Sequence, residues 1–267
     1  MSKAIRSMPE VVVEKHGHVP PSSDELARAC MAEVIGHAHE PVLFVRVKLT
    51  VGTNPALERP SLAQANLDLN GRVVRAQAAA GDMHDALEML KHRLIERVER
   101  MALDWSARRG RVPQDGVHEW RHGQQPSARP AYFPRPPEQR EIVRRKSFTL
   151  VAETPDEAVF EMDLMDYDFQ LFTDAGSGTD AVVYRGGPTG YRLAFAGAVP
   201  ADLATRPAAV DMTVSPAPAP QLDTAAALAR LDLSGLPFVF FVSPTRGRGC
   251  VLYRRYDGHY GLITPAD

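Results

Sequence analysis

In the stretch PVLFVRVKLTV, apolar and polar residues alternate. Leu43, Val45, Val47 and Leu49 fall on one side, and Phe44, Arg46 and Lys48 on the other. A period of two predicts a half-buried strand. Before it, PEVVVEKHG is short and rich in β-branched residues, which predicts another strand. Between them, PPSSDELARACMAEVIGHAH places Leu26, Ala29, Cys30, Val34 and Ile35 at helical spacing, with Ser22 or Ser23 as N-cap. AQANLDLNG and RVVRAQAAA predict two more strands, joined by a tight hairpin at Asn70-Gly71. The region ends in a long helix, where Met83, Leu87, Leu90, Leu94, Val98 and Met101 form a stripe behind the cap Asp82. Residues 1–104 therefore read βαβββα, a sheet with two helices on one face.

Periodicity then stops. Residues 105–140 are dominated by Pro, Arg, Gly and Gln and predict an extended, mobile linker. A second break over residues 199–221, ending in SPAPAP, predicts a stiff polyproline-like spacer.

The regions on either side of that spacer, residues 141–198 and 222–267, say the same thing twice. A shift of 69 without gaps superposes Ala158 on Ala227, Asp163 on Asp232, Leu164 on Leu233 and Phe169 on Phe238. It likewise superposes Phe172 on Phe241, Gly178 on Gly247, Val182 on Val251 and Tyr184 on Tyr253. Arg185, Tyr191 and Leu193 meet Arg254, Tyr260 and Leu262. Each copy reads helix, strand, turn, strand, turn, short strand. A unit of about 45 residues is too small to bury a sound core alone. Two copies in one chain therefore predict two halves of one β-rich body, and the fold class is α+β. Phe169, Phe172 and Tyr184 are expected to meet Phe238, Phe241 and Tyr253 between the halves.

Composition changes this picture in one respect. The net charge of −2 hides a basic middle: residues 105–146 hold 10 Lys/Arg against 4 Asp/Glu, while residues 147–267 hold 8 against 15. A basic segment of this kind is where a polyanion would be met. No run of eighteen apolar residues predicts a membrane span. The start lacks the apolar stretch of a secretory signal, so a cytoplasmic location is expected.

Catalytic and metal chemistry find little support. Cys30 and Cys250 are far apart, and no Cys or acidic trio completes a metal site with His16, His18, His37 and His39. GSGTD sits between two strands with no following helix or Lys, so it is a hairpin turn and not a phosphate cradle. EMDLMDYD ends a repeated helix with no nucleophile near it. No enzyme activity, cofactor or metal is expected.

EIVRRKSFTL, TPDEAVFEMDLMDYDFQLFTD, AVVYR and VLYRRYDGHYGLITP resemble the C-terminal domain of long ribosome hibernation promoting factors. GRVVRAQAAAGDMHDALEMLKHRL resembles that family's N-terminal ribosome-binding domain. The duplicated tail and the Arg/Pro linker are similar to the dormancy-associated translation inhibitors of actinobacteria.

The resemblance implies a protein that is not an enzyme. Its N-terminal domain would lie in the mRNA and tRNA channel of the small ribosomal subunit and block translation. The basic residues expected to meet rRNA are Arg28, Arg72, Arg75, Lys91, Arg93, Arg97, Arg100, Arg108, Arg109 and Arg111. Lys91, Arg93, Arg97 and Arg100 are expected on one broad helix face opposite the Leu stripe. Long members with one C-terminal motif homodimerise and pair two ribosomes. A chain holding both copies is expected to pair them internally, remain monomeric and bind single ribosomes. The alternative is a protein-interaction module whose repeats bind a stress-signalling partner.

Overall fold

The computed structural model describes residues 9–52, 59–109, 135–206, 208–255 and 257–266. The chain divides into two compact units, one reaching to residue 131 together with the segment Asp163–Asp166, the other comprising the remainder. No helix among the described residues is long and apolar enough to cross a membrane.

The first unit has the expected order: β1 (Val11–His16), α1 (Ser23–His37), β2 (Val42–Val51), β3 (Ser61–Leu69), β4 (Arg72–Ala80) and α2 (Met83–Arg109). The strands lie in the order β1-β2-β3-β4, with β1 parallel to β2 and the rest antiparallel. Alternation decides which face is covered: Val45, Val47 and Leu49 of β2, Ala63, Ala65 and Leu67 of β3, and Val74, Ala76 and Ala78 of β4 are all buried. The stripe from Met83 to Met101 on α2 closes over them. Asp82 caps that helix, its Oδ1 accepting from Asp85 N at 2.9 Å. The β3–β4 turn takes positive φ at both Asn70 (53°) and Gly71 (89°), the type I′ geometry that the Asn-Gly pair favours.

Two details differ from the sequence reading. The buried face of α1 is Ala27, Cys30, Met31 and Val34, while Ala29 is exposed; Ser22 occupies the cap position without a side-chain bond. Leu43 does not follow Val45 inward: a register shift between Val42 and Phe44 bulges the strand there and leaves Leu43 58% exposed.

The second unit contains β5 (Ile142–Phe148), β6 (Ala152–Glu153), α3 (Pro155–Leu164), β7 (Phe169–Asp174), β8 (Asp180–Arg185), β9 (Tyr191–Phe195), β10 (Thr213–Val214), α4 (Thr224–Ser234), β11 (Phe238–Val242), β12 (Gly249–Arg254) and β13 (Tyr260–Pro265). Two sheets form, β10-β9-β8-β7-β6 and β11-β12-β13-β5. The copies exchange edges. The strand leading into the first repeat, β5, pairs with β13 of the second, and β10, leading into the second, pairs with β9 of the first. The shift of 69 holds even here: Arg144 pairs with Gly261 as Thr213 pairs with Arg192.

Each helix begins with a sequence-encoded cap. Thr154 and Glu157 form a reciprocal capping box at α3, with Thr154 N donating to Glu157 Oε2 at 2.9 Å. Asp223 Oδ1 accepts from Ala226 N at 2.7 Å at α4, which ends on Gly235 in the left-handed region. Ala158, Val159 and Met162 pack on Phe172, Val183, Leu193 and Phe195 of the first sheet. Ala227 and Leu231 pack on Phe241, Leu252, Tyr260 and Leu262 of the second.

The segment expected as a stiff spacer is instead docked. Val199, Leu203, Val210, Met212 and Val214 pack against the core of the first repeat. Arg206 Nη1 donates to both carboxylate oxygens of Asp174, at 3.1 and 2.8 Å. The Asp156 carboxylate accepts from the Ala209 and Val210 amides. A pattern search sees only its Pro and Ala content, but five spaced apolar residues and one Arg are enough to anchor it.

Candidate nucleic-acid interface and paired repeats

In the first unit, β4 is an edge strand, and its outward carbonyls need donors. Two arginines of α2 supply them. Arg93 Nη1 donates to Gln77 O, and Arg97 Nη1 donates to Arg75 O at 3.0 Å. Arg97 is only 8% exposed, so it braces the sheet edge and does not stand on an open basic face. Arg93 is half-buried, and its guanidinium carries five donors, of which this contact uses one.

Lys91 departs further from expectation. Its side chain is 13% exposed and forms ion pairs with Glu33 at 3.1 Å and Glu88 at 2.9 Å, facing α1 and not the side of Arg93. The hydrogen bonds that Lys91 donates to Glu88 and Glu33 hold its pKa above the usual lysine value. Helical spacing of 100° per residue separates positions 91 and 93 by more than half a turn, which is why one broad face was too generous a reading. Beside this pair, burial first and the Glu88 charge second push the Cys30 thiol up to about 11, leaving it an unreactive core group. Arg28 is also engaged locally, with Asp24 at 3.0 Å and the Val11 carbonyl at 2.6 Å.

Arg72 and Arg75 lie half-buried on β4, and Arg100 lies half-buried one turn beyond Arg97. On the sheet face that neither α1 nor α2 covers, Arg46, Asn66 and Arg75 form one cross-strand row, with Lys48, Gln64 and Gln77 in the next. Arg46 also reaches Glu14 at 3.4 Å and lies over the Phe44 ring. Arg46 and Lys48 were not among the expected contacts, although the alternation of β2 already placed both on the polar side. Arg111 lies outside the described residues, as do the side chains of Arg108 and Arg109. Asp82, His84 and Asp85 bring three potential metal-ligand atoms together at the exposed start of α2.

In the second unit the inner faces of the two sheets meet. Leu150, Leu171, Val182 and Val251 are buried there, flanked by Phe169, Tyr184, Phe238, Phe240, Tyr253 and Ile263. Phe169 and Phe238 stack with ring centroids 4.8 Å apart. Tyr184 meets Phe238 at 5.3 Å, and Tyr253 meets Phe169 at 5.8 Å. Phe172 and Phe241 do not join them; each lies under its own helix. The reason is parity, since residues three apart on a strand point to opposite faces.

The interface also carries an ion pair that residue types alone did not reveal. Asp180, 6% exposed, accepts from Arg248 Nε at 2.8 Å, Arg248 Nη2 at 3.0 Å and the Gly249 amide at 2.8 Å. Thr173 Oγ1 adds a longer bond at 3.3 Å. A buried carboxylate needs this saturation of its lone pairs. The signal was available, since Asp180 and Gly249 occupy the same position of the repeat yet differ completely.

Comparison with known proteins agrees with this architecture. Residues 137–193 and 213–262 both match the family described as Sigma 54 modulation/S30EA ribosomal protein C terminus. The chain is 38% identical over 266 residues to the dormancy associated translation inhibitor of Mycobacterium tuberculosis, covering 97% of this chain and 90% of that protein. It is 26% identical over 148 residues to the ribosome hibernation promotion factor of Lactococcus lactis, covering 55% of this chain and 75% of that one. The N-terminal domain of Thermus thermophilus Protein Y matches 35% of this chain and 99% of its own length at 17% identity, with a TM-score of 0.30. With two copies of the C-terminal motif and near full-length identity to the first of these relatives, the chain belongs to the family of dormancy associated translation inhibitors and ribosome hibernation factors.

Proposed function

We propose that this protein binds the ribosome and inhibits translation by occlusion, its first unit lying on the small subunit in the path of mRNA and tRNA. The observation that carries the reading is the 38% identity, over 97% of the chain, to a dormancy associated translation inhibitor. Occlusion requires no chemistry; it requires a compact body and cations placed against rRNA phosphates. Arg75 and Arg93, near the β4 edge, and Arg46 and Lys48, on the face left by the helices, are the proposed contacts within the described residues. Arg97 and Lys91 serve the fold instead. The basic residues 105–140 add electrostatic affinity. The repeats pair within the chain, which makes the protein a monomer that acts on single ribosomes in the cytoplasm.

Co-sedimentation of the full chain with small subunits tests this. The variant carrying Arg75→Glu and Arg93→Glu is expected to bind at least tenfold more weakly at moderate salt. Its log affinity should fall less steeply with log salt, because each lost phosphate contact removes about one released counterion. Wild-type affinity and an unchanged salt slope in a folded double variant would remove these residues from the interface.

A further inference from the structure

The two repeats meet about a pseudo-two-fold axis, and the axis can be located from sequence offset alone. Exchanging the repeats by 69 positions turns the contact Tyr184–Phe238 into Tyr253–Phe169, and both are present. It turns Phe169–Phe238 into itself, and Asp180–Gly249 into itself. These last two contacts therefore lie on the axis. At the Phe pair the two sides are identical, so that contact cannot tell one repeat from the other. At Asp180 and Gly249 the sides are as different as two residues can be.

We propose that this asymmetry is a pairing code: the face of the first repeat, bearing Asp180, accepts the face of the second, bearing Arg248 and Gly249, and each face rejects its own kind. The proposal rests on the internal pairing proposed above and adds what specifies it. Gly249 leaves room that a side chain would close. A Cβ there would stand 2.9 Å from the Phe240 ring, closer than real Cβ atoms come, and 3.0 Å from Asp180 Cβ, a tight contact to which the carboxylate's residue would have to yield. The opened space lets the Asp180 carboxylate approach the Gly249 amide and the Arg248 fork together.

Two first-type faces would bring two carboxylates onto the axis, with Thr179 where Arg248 stands. They would collide, and like charges would be buried together without a cation. Two second-type faces would leave a gap between glycines and two Arg248 guanidinium groups with no carboxylate between them. A second copy of this chain offers the same two faces, but its own tether keeps them paired at roughly millimolar effective concentration. The code and the tether act in the same direction, toward one chain closed on itself.

The test uses the full chain, with mass from light scattering over a hundredfold concentration range and the urea midpoint of the second unit. Wild type is expected at the single-chain mass of 29.3 kDa. Gly249→Asp combined with Arg248→Thr makes both faces first-type, and Asp180→Gly combined with Thr179→Arg makes both second-type. Each is expected to lower the midpoint and to remain a single chain, because no copy of it offers a face that its own faces accept. Refolded together, the two variants should form a 1:1 two-chain complex with a midpoint near wild type, because every Asp face then finds a Gly face on the other chain. Should either variant fail to fold alone, that rescue still reads the code. Asp180→Asn, which keeps the shape and the bond from Gly249, should remain single-chain with a smaller loss.

Variants that are single chains with the wild-type midpoint, or a mixture that forms no joint complex, would overturn the code while leaving internal pairing intact. A wild-type chain that already runs at twice its mass would overturn the pairing itself.

Discussion

The two repeats share one backbone and are held by different side chains. Strand register, exchanged edges and the positive φ of the first turn glycine, 69° at Gly178 and 65° at Gly247, are common to both. The bracing is not. The first repeat is clasped by the segment that follows it, through Arg206 on Asp174 and the Asp156 carboxylate on two amides. The second is clasped by the segment that precedes the first, where Arg140 reaches Asp232 at 3.0 Å, joined there by Tyr260 and Arg254. Tyr253 lies over Gly261, where an added Cβ would stand 2.3 Å from its ring, while the corresponding Tyr184 faces Arg192. Duplication thus preserved the geometry that edge exchange demands and core positions such as Phe172 and Phe241, while the contacts that clasp each copy to its flanking segment diverged.

Breaking the clasp of the first repeat is expected to have the largest effect. Asp174 is fully buried; desolvation raises its pKa, but hydrogen bonds from Ser177 and Arg206 outweigh that and hold it below the usual carboxylate range. A lowered pKa means stability that is present above the unfolded value and lost as pH falls through the folded one. Arg206→Ala leaves the Asp174 charge with only Ser177 to meet it and should lower the stability of the first repeat strongly at neutral pH. Amide exchange in β7 and β8 should accelerate far more than in β11 and β12. Equal acceleration in both repeats would show that the clasp is shared.

A second difference reverses the sign. Position 153 of the first repeat holds Glu where the second holds Leu222, which packs against its own core. Glu153 is buried, its Oε2 has no hydrogen-bond partner, and burial, with Glu161 and Glu157 nearby, pushes its pKa up to about 7. A raised carboxyl pKa contributes stability that is full below the unfolded value, about 4.5, and is lost as pH rises through about 7. Glu153→Leu should therefore stabilise the first repeat by up to about 3 kcal/mol above pH 7 and progressively less toward pH 4.5. Calorimetry of wild type and variant across that range reads the effect. A gain independent of pH would assign it to packing instead.

These differences also mark what could be read in advance. The βαβββα order, the Asn70-Gly71 turn, the Asp82 cap and the doubled unit were legible because period, turn chemistry and self-similarity are local properties. The pairing of the repeats was expected only in outline, since no local pattern says which sheet β5 joins. Phe172 and Phe241 were misplaced by treating shared identity as shared interface, when strand parity already opposed it. Lys91 and Arg97 were grouped with Arg93 by charge, but Glu33, Glu88 and the Arg75 carbonyl, distant in sequence, decide what those cations do. The docking of residues 199–214 was hidden by a composition that spacers and clasps share.

The smallest effect tests the bracing of the second repeat. Tyr260 is 2% exposed and donates its hydroxyl to Asp232 Oδ1 at 2.5 Å. Burial, together with that bond, raises its pKa, and Arg140 partly opposes the rise. Tyr260→Phe keeps the ring in the core and removes only the hydroxyl. Asp232 retains Arg140 and Arg254, so no buried charge is stranded, and the loss should be about 1 kcal/mol. That is a fraction of the Arg206→Ala cost, because there a buried carboxylate loses its cation and here the exposed Asp232 loses one neutral donor. Urea unfolding of the second unit in the two variants measures the ratio. If Tyr260→Phe costs as much as Arg206→Ala, the second repeat depends on its hydroxyl as the first depends on its ion pair, and the two clasps are equivalent after all.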